Sequence, residues 1–230
     1  MMSSSTRLVM FDLDGTLIET ASEIKDAVND TLSYFQLQHV TQEQVNDWIG
    51  HGTHRLLIKA LAKIKNCDSL EIENWTELKN ISQVFNVYYQ KRCGTSSQLY
   101  PHVKTVLKNL VLNNIRIAVV TNKESIYTHT ILKQHQLDEI FDVVISGDSL
   151  DTKKPHPAGI QYCLNKFQLQ PSQALFVGDS SIDAQTARNA GVPVWLLPYG
   201  YNMGQTIESA TPDLVIQNFS EILTILKISL

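Results

Sequence analysis

The sequence predicts an α/β fold in which a doubly wound parallel sheet is interrupted, straight after its first strand, by a helical cap. Three observations carry this. Short runs rich in Val, Ile and Leu recur along the chain without the period-2 alternation of half-exposed strands, as expected where both faces are covered. Segments with apolar residues at helical spacing separate those runs. Residues 18–95 carry only helical patterns and break the rhythm of strand and helix.

The first strand is expected at Leu8–Phe11. Further strands follow at Ile115–Val120, Val143–Ile145, Ala174–Val177 and Val194–Leu197, each bounded by Gly, Asp, Asn or Pro. Between them Val103–Leu112, Ser125–Gln136, Pro157–Phe167 and Ile182–Ala190 read as helices, the last stopped by Gly191 with Pro193 just beyond. In the insertion the helical patterns are Glu19–Phe35, Gln42–Ile49, Thr53–Ile64 and a run near Trp75–Arg92. The expected division is a catalytic core of residues 1–17 and 96–230 and a cap of residues 18–95. Hinges fall near Thr16–Glu19 and Gly94–Gln98, the second flexible by its Gly-Thr-Ser-Ser composition.

A chain of 230 residues with 43% hydrophobic and 18% charged residues has the material for a packed core. Its net charge of −4 gives no basic field for nucleic acid or an anionic membrane, so neither is an expected partner. No stretch approaches the ~20 apolar residues of a membrane span. The opening MMSSSTRLVMF is too short and too polar for a secretion signal. Cys67, Cys93 and Cys163 are isolated and form no metal or disulfide pattern. A reduced, cytoplasmic protein is expected, as monomer or homodimer.

Open parallel sheets bind ligands at the carboxyl ends of their strands. There the sequence places Asp12-Leu13-Asp14-Gly15-Thr16, then Thr121-Asn122, then Lys153-Lys154-Pro155, then Gly178-Asp179-Ser180-Ser181-Ile182-Asp183. Two like charges ~4 Å apart repel by about 4 kcal/mol at an effective dielectric of 20, so these acids call for a bound cation or raised pKa values. An all-oxygen donor set suits Mg²⁺. Asp12 and Asp14, two apart, can both face one cleft. One can attack phosphorus and the other can move the proton of the leaving alkoxide and of the hydrolytic water. Thr121 offers a hydroxyl and Lys154 a point charge to phosphate oxygens. Asp179 and Asp183, four apart across a helix start, share a face, with Asp183 close behind a metal-holding Asp179.

These residues resemble the motifs of the haloacid dehalogenase superfamily. DLDGT is similar to its first motif, Thr121 to its second, Lys154 before Pro to its third and GDSSID to its fourth, and the helical insertion stands where that family carries its cap. The resemblance covers essentially the whole chain and implies a Rossmann-like core. Asp14, absent from members that cleave carbon–halogen bonds, implies phosphoryl transfer. A closer resemblance to the phosphoglycolate phosphatases rests on five further runs. They are Trp48-Ile49-Gly50-His51-Gly52, Tyr100-Pro101, Val120-Thr121-Asn122-Lys123, Lys154-Pro155-His156-Pro157 and Gly200-Tyr201-Asn202-Met203-Gly204. It implies Mg²⁺ held by Asp12, the Asp14 backbone carbonyl and Asp179, and 2-phosphoglycolate as the small phosphorylated metabolite hydrolysed. The chain departs from that pattern at His102, where Gly is usual, and at Met203, where an aromatic residue is usual.

The cap loop His51-Gly52-Thr53-His54-Arg55 is expected to read the substrate, with Asn122 and Gly52 at the site. Arg55 and His51 are the candidates for gripping a substrate carboxylate, Arg55 being otherwise an exposed helix residue. Trp48 and Trp75 read as cap packing. Two rival functions use the same scaffold: a phosphosugar mutase similar to β-phosphoglucomutase, and a binding protein that kept the fold without catalysis.

Overall fold

The computed structural model describes residues 6–228. Its main sheet has six strands, all paired in parallel: β1 (Leu8–Phe11), β4 (Arg116–Val120), β5 (Val143–Ile145), β6 (Ala174–Gly178), β7 (Val194–Leu196) and β8 (Leu214–Val215). The spatial order is β5-β4-β1-β6-β7-β8. From β1 the chain winds outward through β4 to β5, then returns to β1's other side for β6, β7 and β8. The order reverses at β1, and an open parallel sheet offers its ligand crevice at such a reversal.

β1 shows why the sheet reads as continuous apolar runs. Leu8 and Met10 join one hydrophobic cluster and Val9 and Phe11 the other, and all four are buried. Successive side chains alternate across the pleat, and both faces are covered. One face packs on α8 (Ala158–Phe167) and α9 (Ser181–Ala190) through Ile160, Cys163, Ala184 and Ala187. The other packs on α6 (Val103–Leu112), α7 (Ser125–Gln134) and α10 (Glu221–Ile225).

Between β1 and β4 lie α1 (Ala21–Tyr34), α2 (Gln42–Trp48), α3 (Thr53–Lys65), α4 (Ser69–Glu73) and α5 (Leu78–Arg92). Thr41 and Gln44 form a capping box at α2, as do Asp68 and Glu71 at α4, each satisfying two otherwise unpaired N–H groups. α1 and α5 pack together through apolar faces that include Ile24, Val28, Ile81 and Phe85. Trp48 and Trp75 are half-buried against the same cluster, and Lys65 Nζ lies 4.2 Å from the Trp75 ring.

Two short strands flank these helices. β2 (Ile18–Glu19) pairs antiparallel with β3 (Gln98–Leu99), Ile18 opposite Leu99 and Glu19 opposite Gln98. The first insertion helix therefore begins at Ala21, not at Glu19 as the sequence suggested. Two residues are too few to show a strand period, so β2, β3 and β8 left no pattern to read. α4, a single turn and a half, escaped for the same reason. No helix among the described residues is long and apolar enough to cross a membrane.

Candidate active site

The carboxyl ends of β1, β4 and β6 and the loops after them converge beneath α3. Asp12 leaves β1 buried, its Oδ1 accepting from the Leu13 N–H at 2.7 Å. Lys154 Nζ lies 2.9 Å from Asp12 Oδ1 and 2.6 Å from Asp183 Oδ1, in a largely buried setting. Asp183 Oδ2 accepts from the N–H groups of Asp179 and Ser180, both at 3.1 Å, and from the Ser180 hydroxyl at 2.7 Å. Ser180 in turn caps α9 by accepting from the Asp183 N–H at 3.3 Å. The GDSSID run is thus a capping box whose carboxylate also braces Lys154.

Asp179 accepts from the Thr16 hydroxyl at 2.6 Å and from the Tyr201 N–H at 2.6 Å. Gly15, at φ +85°, lies so close to this carboxylate that a Cβ there would collide with it, which explains the Gly of the DLDGT run. Asp14 Oδ1 accepts from the Thr20 hydroxyl at 2.7 Å and from Lys123 Nζ at 2.9 Å, and its Oδ2 takes a second bond from the same ammonium at 3.1 Å.

Burial and crowding shift the titrating groups. Burial pushes the Asp12 carboxyl up to about 6; Lys154 pulls it back, and Asp183 and Asp14 add repulsion. Burial, then Asp183 and Asp12, raise Asp179 well above the carboxylate range. For Lys154 burial opposes the charge, but Asp12 and Asp183 outweigh it and hold the ammonium above its usual value. Lys123 is likewise raised, Asp14 being the leading charge that offsets its burial.

Oxygens of Asp12, Asp179 and Asp183 all lie within 4.8 Å of one another, close enough to hold one metal ion. Hard oxygen donors and raised carboxylates fit Mg²⁺, whose charge would relieve the repulsion that the protein leaves standing. Asp183 Oδ2 already takes three donors at the α9 start and its Oδ1 takes Lys154, whereas each Asp179 oxygen takes one donor and both Asp12 contacts fall on Oδ1.

The pocket over these acids is lined on the insertion side by Ile24, Ile49, Gly50, Gly52, Thr53 and Leu56. Two hydrogen bonds fasten that wall to the sheet: Asn122 Nδ2 donates to the Gly50 carbonyl at 2.9 Å, and the Thr53 hydroxyl donates to Glu124 Oε2 at 2.8 Å. A Cβ on Gly52 would lie 2.9 Å from the Asn122 carbonyl oxygen at a φ of +88°, so this approach needs glycine.

Of the residues singled out in the sequence, Asp12, Asp14, Thr121, Asn122, Gly52 and Asp179 line the pocket, and Lys154 and Asp183 stand directly behind it. Asn122 spends its amide on backbone: besides Gly50 it donates to the Lys154 carbonyl at 3.0 Å and accepts from the Lys154 N–H at 2.8 Å. Arg55 and His51 do not reach the pocket. Both are exposed, Arg55 is ion-paired with Glu73, and the two line a separate cleft with Lys59 and Ser69. Helix geometry is the reason: residues turn about 100° each, so Arg55 faces about 200° away from the inward Thr53. Reading residue types missed Lys123, Thr16, Thr20 and Tyr201. Thr16, Lys123 and Tyr201 lay within runs that carried the family resemblance, which was the available signal.

Strand ends of a Rossmann-like sheet bring four acids and two buried lysines together beneath the inserted helices, and comparison with known proteins gives the class. Residues 9–197 match the model of the haloacid dehalogenase-like hydrolases. A Haemophilus influenzae protein named phosphoglycolate phosphatase is 38% identical over 225 residues, covering 98% of this chain and all of that one. A Pasteurella multocida protein of the same name is 38% identical over 221 residues, covering 96% and 98%. The crystal structure of a predicted phosphoglycolate phosphatase from Haemophilus somnus superposes with a TM-score of 0.88 at 34% identity, covering 98% and 99%. The chain belongs to the haloacid dehalogenase-like hydrolase family, and within it to the phosphoric monoester hydrolases.

Proposed function

We propose that the chain hydrolyses a small phosphate monoester, 2-phosphoglycolate first among candidates, through a phosphoaspartate on Asp12. The observation that carries this reading is the pairing of Asp12 and Asp14. One carboxylate is backed by Lys154, the other is held by Lys123 and Thr20, and both face one pocket. Asp12 attacks phosphorus, and the bond to the leaving oxygen breaks as Asp14 gives that oxygen a proton. Asp14 then takes a proton from water, whose oxygen attacks the phosphoaspartate, releasing phosphate and restoring Asp12. Thr121 and Lys154 offer a hydroxyl and a positive charge to the phosphoryl oxygens. Asp12, the Asp14 carbonyl and Asp179 would hold Mg²⁺, with Asp183 orienting Lys154 behind them. The ion supplies charge neutralisation at the phosphoryl group.

The names of the relatives support phosphoglycolate, and so does the shape of the wall opposite the acids. Gly52 stands as N-cap of α3 with no side-chain cap and no acid in the first turn, leaving helix N–H groups at the pocket. Such an end favours an anion, and a substrate carboxylate placed there suits a two-carbon phosphoester. Residues 18–95 act as a cap that swings on β2 and β3, opening for substrate and closing to exclude water.

The test is phosphate release from 2-phosphoglycolate, p-nitrophenyl phosphate and hexose phosphates, with Mg²⁺ or EDTA, in wild type and Asp12→Asn. Mg²⁺-dependent release, lost in Asp12→Asn and fastest with 2-phosphoglycolate, is expected. Folded protein that releases phosphate from none of them with Mg²⁺ present would overturn the reading.

A further inference from the structure

Thr20-Ala21-Ser22-Glu23 has the form of a capping box at the start of α1, in which a hydroxyl and a carboxylate would satisfy each other's backbone N–H groups. Neither side chain does so. Thr20 gives its hydroxyl to Asp14, and α1 has no side-chain cap. The Tyr201 hydroxyl accepts from the Thr20 N–H at 3.2 Å, and it shares the Ala21 N–H, at 3.2 Å, with Glu19 Oε1 at 3.0 Å. Glu23 turns inward. Its Oε2 accepts from the Gly94 N–H at 2.9 Å and the Ser97 N–H at 3.1 Å, on the segment that leads from α5 into β3.

Glu23 is 0% exposed, and among the described residues its Oε1 has no hydrogen-bond partner. Burying a carboxylate is costly unless a charge faces it. Burial raises the Glu23 carboxyl above its ordinary value, and Lys123 is the leading charge that opposes the rise. Lys123 has its ammonium on both oxygens of Asp14 and 5.1 Å from the buried ring of Tyr89. Asp14 therefore holds this desiccated ammonium directly from the pocket, and Glu23 adds a weaker attraction from the hinge side.

We infer that Glu23 is a positioning residue for the reaction, pinning the returning hinge through Gly94 and Ser97 while its charge fixes where Lys123 holds Asp14. This rests on the reading of Asp14 as the group that moves protons. A gain of helix capping is given up at Glu23 for a contact that ties the hinge to the site, and such local departures mark functional positions.

Glu23→Gln separates the two roles, because the Gln carbonyl still accepts from Gly94 and Ser97 while the charge is gone. Glu23→Ala removes both. The measurements are kcat and KM on 2-phosphoglycolate, together with hydrogen exchange at the Gly94 and Ser97 amides in the full-length protein. In Glu23→Gln, amide protection is expected to stay within about 2-fold, KM to hold and kcat to fall about 10-fold, since small displacements of a reacting group cost that much or more. In Glu23→Ala, protection of those two amides falls about 10-fold as well. Wild-type kcat in Glu23→Gln overturns the link to Lys123 and Asp14. Unchanged protection in folded Glu23→Ala overturns the latch. A wild-type protein that cleaves no phosphoester would instead refute the role of Asp14, and the amide measurement would still decide whether Glu23 pins the hinge.

Discussion

Lys123 and Asp14 form a two-pronged ion pair, Nζ lying 2.9 Å from Oδ1 and 3.1 Å from Oδ2, with the lysine side chain wholly shielded from water. The bond joins the loop after β4 to the loop after β1, so the strands set the place of the second aspartate twice over. Lys123→Met keeps the length and apolar stem but strands Asp14 with Thr20 as its remaining side-chain partner. Breaking one side of a buried pair costs about 3 kcal/mol, or about 6–12 °C in Tm for a chain this size. The expected outcome is a lower Tm by calorimetry and a kcat reduced at least 10-fold, with KM much less affected. An unchanged kcat would mean that Asp14 holds its place without the lysine.

Asp12 predicts how metal-free protein responds to pH. Its carboxyl is raised from 3.8 to about 6, so the folded state binds a proton more tightly than the unfolded chain. Stability from this group is complete below about pH 4 and is lost as pH rises through 6. Protons and Mg²⁺ compete for the same oxygens. Millimolar Mg²⁺ should therefore raise Tm more at pH 7.5 than at pH 5, and metal-free Asp12→Asn should match or exceed wild type in Tm at pH 7.5. Thermal melts at the two pH values, with Mg²⁺ or EDTA, check both statements. An equal Mg²⁺ shift at both pH values would show that Asp12 is not among the groups for which proton and metal compete.

What was legible in the sequence depended on range. Asp12, Asp14 and Asp179 come directly after β1 and β6, and strand ends in a parallel sheet meet by topology alone, so residue type and order were enough to bring them together; Lys154, nine residues beyond β5, was legible through its motif before Pro155. The parallel core followed from apolar runs such as Leu8–Phe11, whose side chains enter both hydrophobic clusters. Orientation inside a loop was not legible. Arg55 has the right chemistry for a carboxylate, but which side of α3 faces the sheet is set by tertiary contacts such as that of Thr53 with Glu124. Lys123 lies three residues past the end of β4, where strand parity no longer says which way a side chain points.

Arg55→Ala is expected to leave kcat/KM on 2-phosphoglycolate within about 2-fold, since its partner is Glu73 and surface pairs of this kind contribute about 0–1 kcal/mol. Leu56→Ala, one position along, empties part of the pocket wall and a buried site, and should cost about 2–4 kcal/mol of stability and raise KM. Steady-state kinetics and denaturant unfolding of the two variants provide the contrast. A large KM effect from Arg55→Ala would place that guanidinium on the substrate after all.

His102 offers a test that is independent of activity. It precedes α6 with φ at +69°, is exposed, and makes no side-chain cap bond. A residue with a Cβ is strained in this left-handed region, whereas glycine enters it freely. Glycine also gives the unfolded chain more freedom, which offsets part of the relief. The balance favours His102→Gly by about 0.5 kcal/mol, or about 1–2 °C in Tm. The substitution touches neither the pocket nor the hinge, so kcat and KM should not move. Urea unfolding at constant m-value would register the gain as a higher midpoint, and a lower midpoint would show that the imidazole contributes more through its surroundings than its backbone strain takes away.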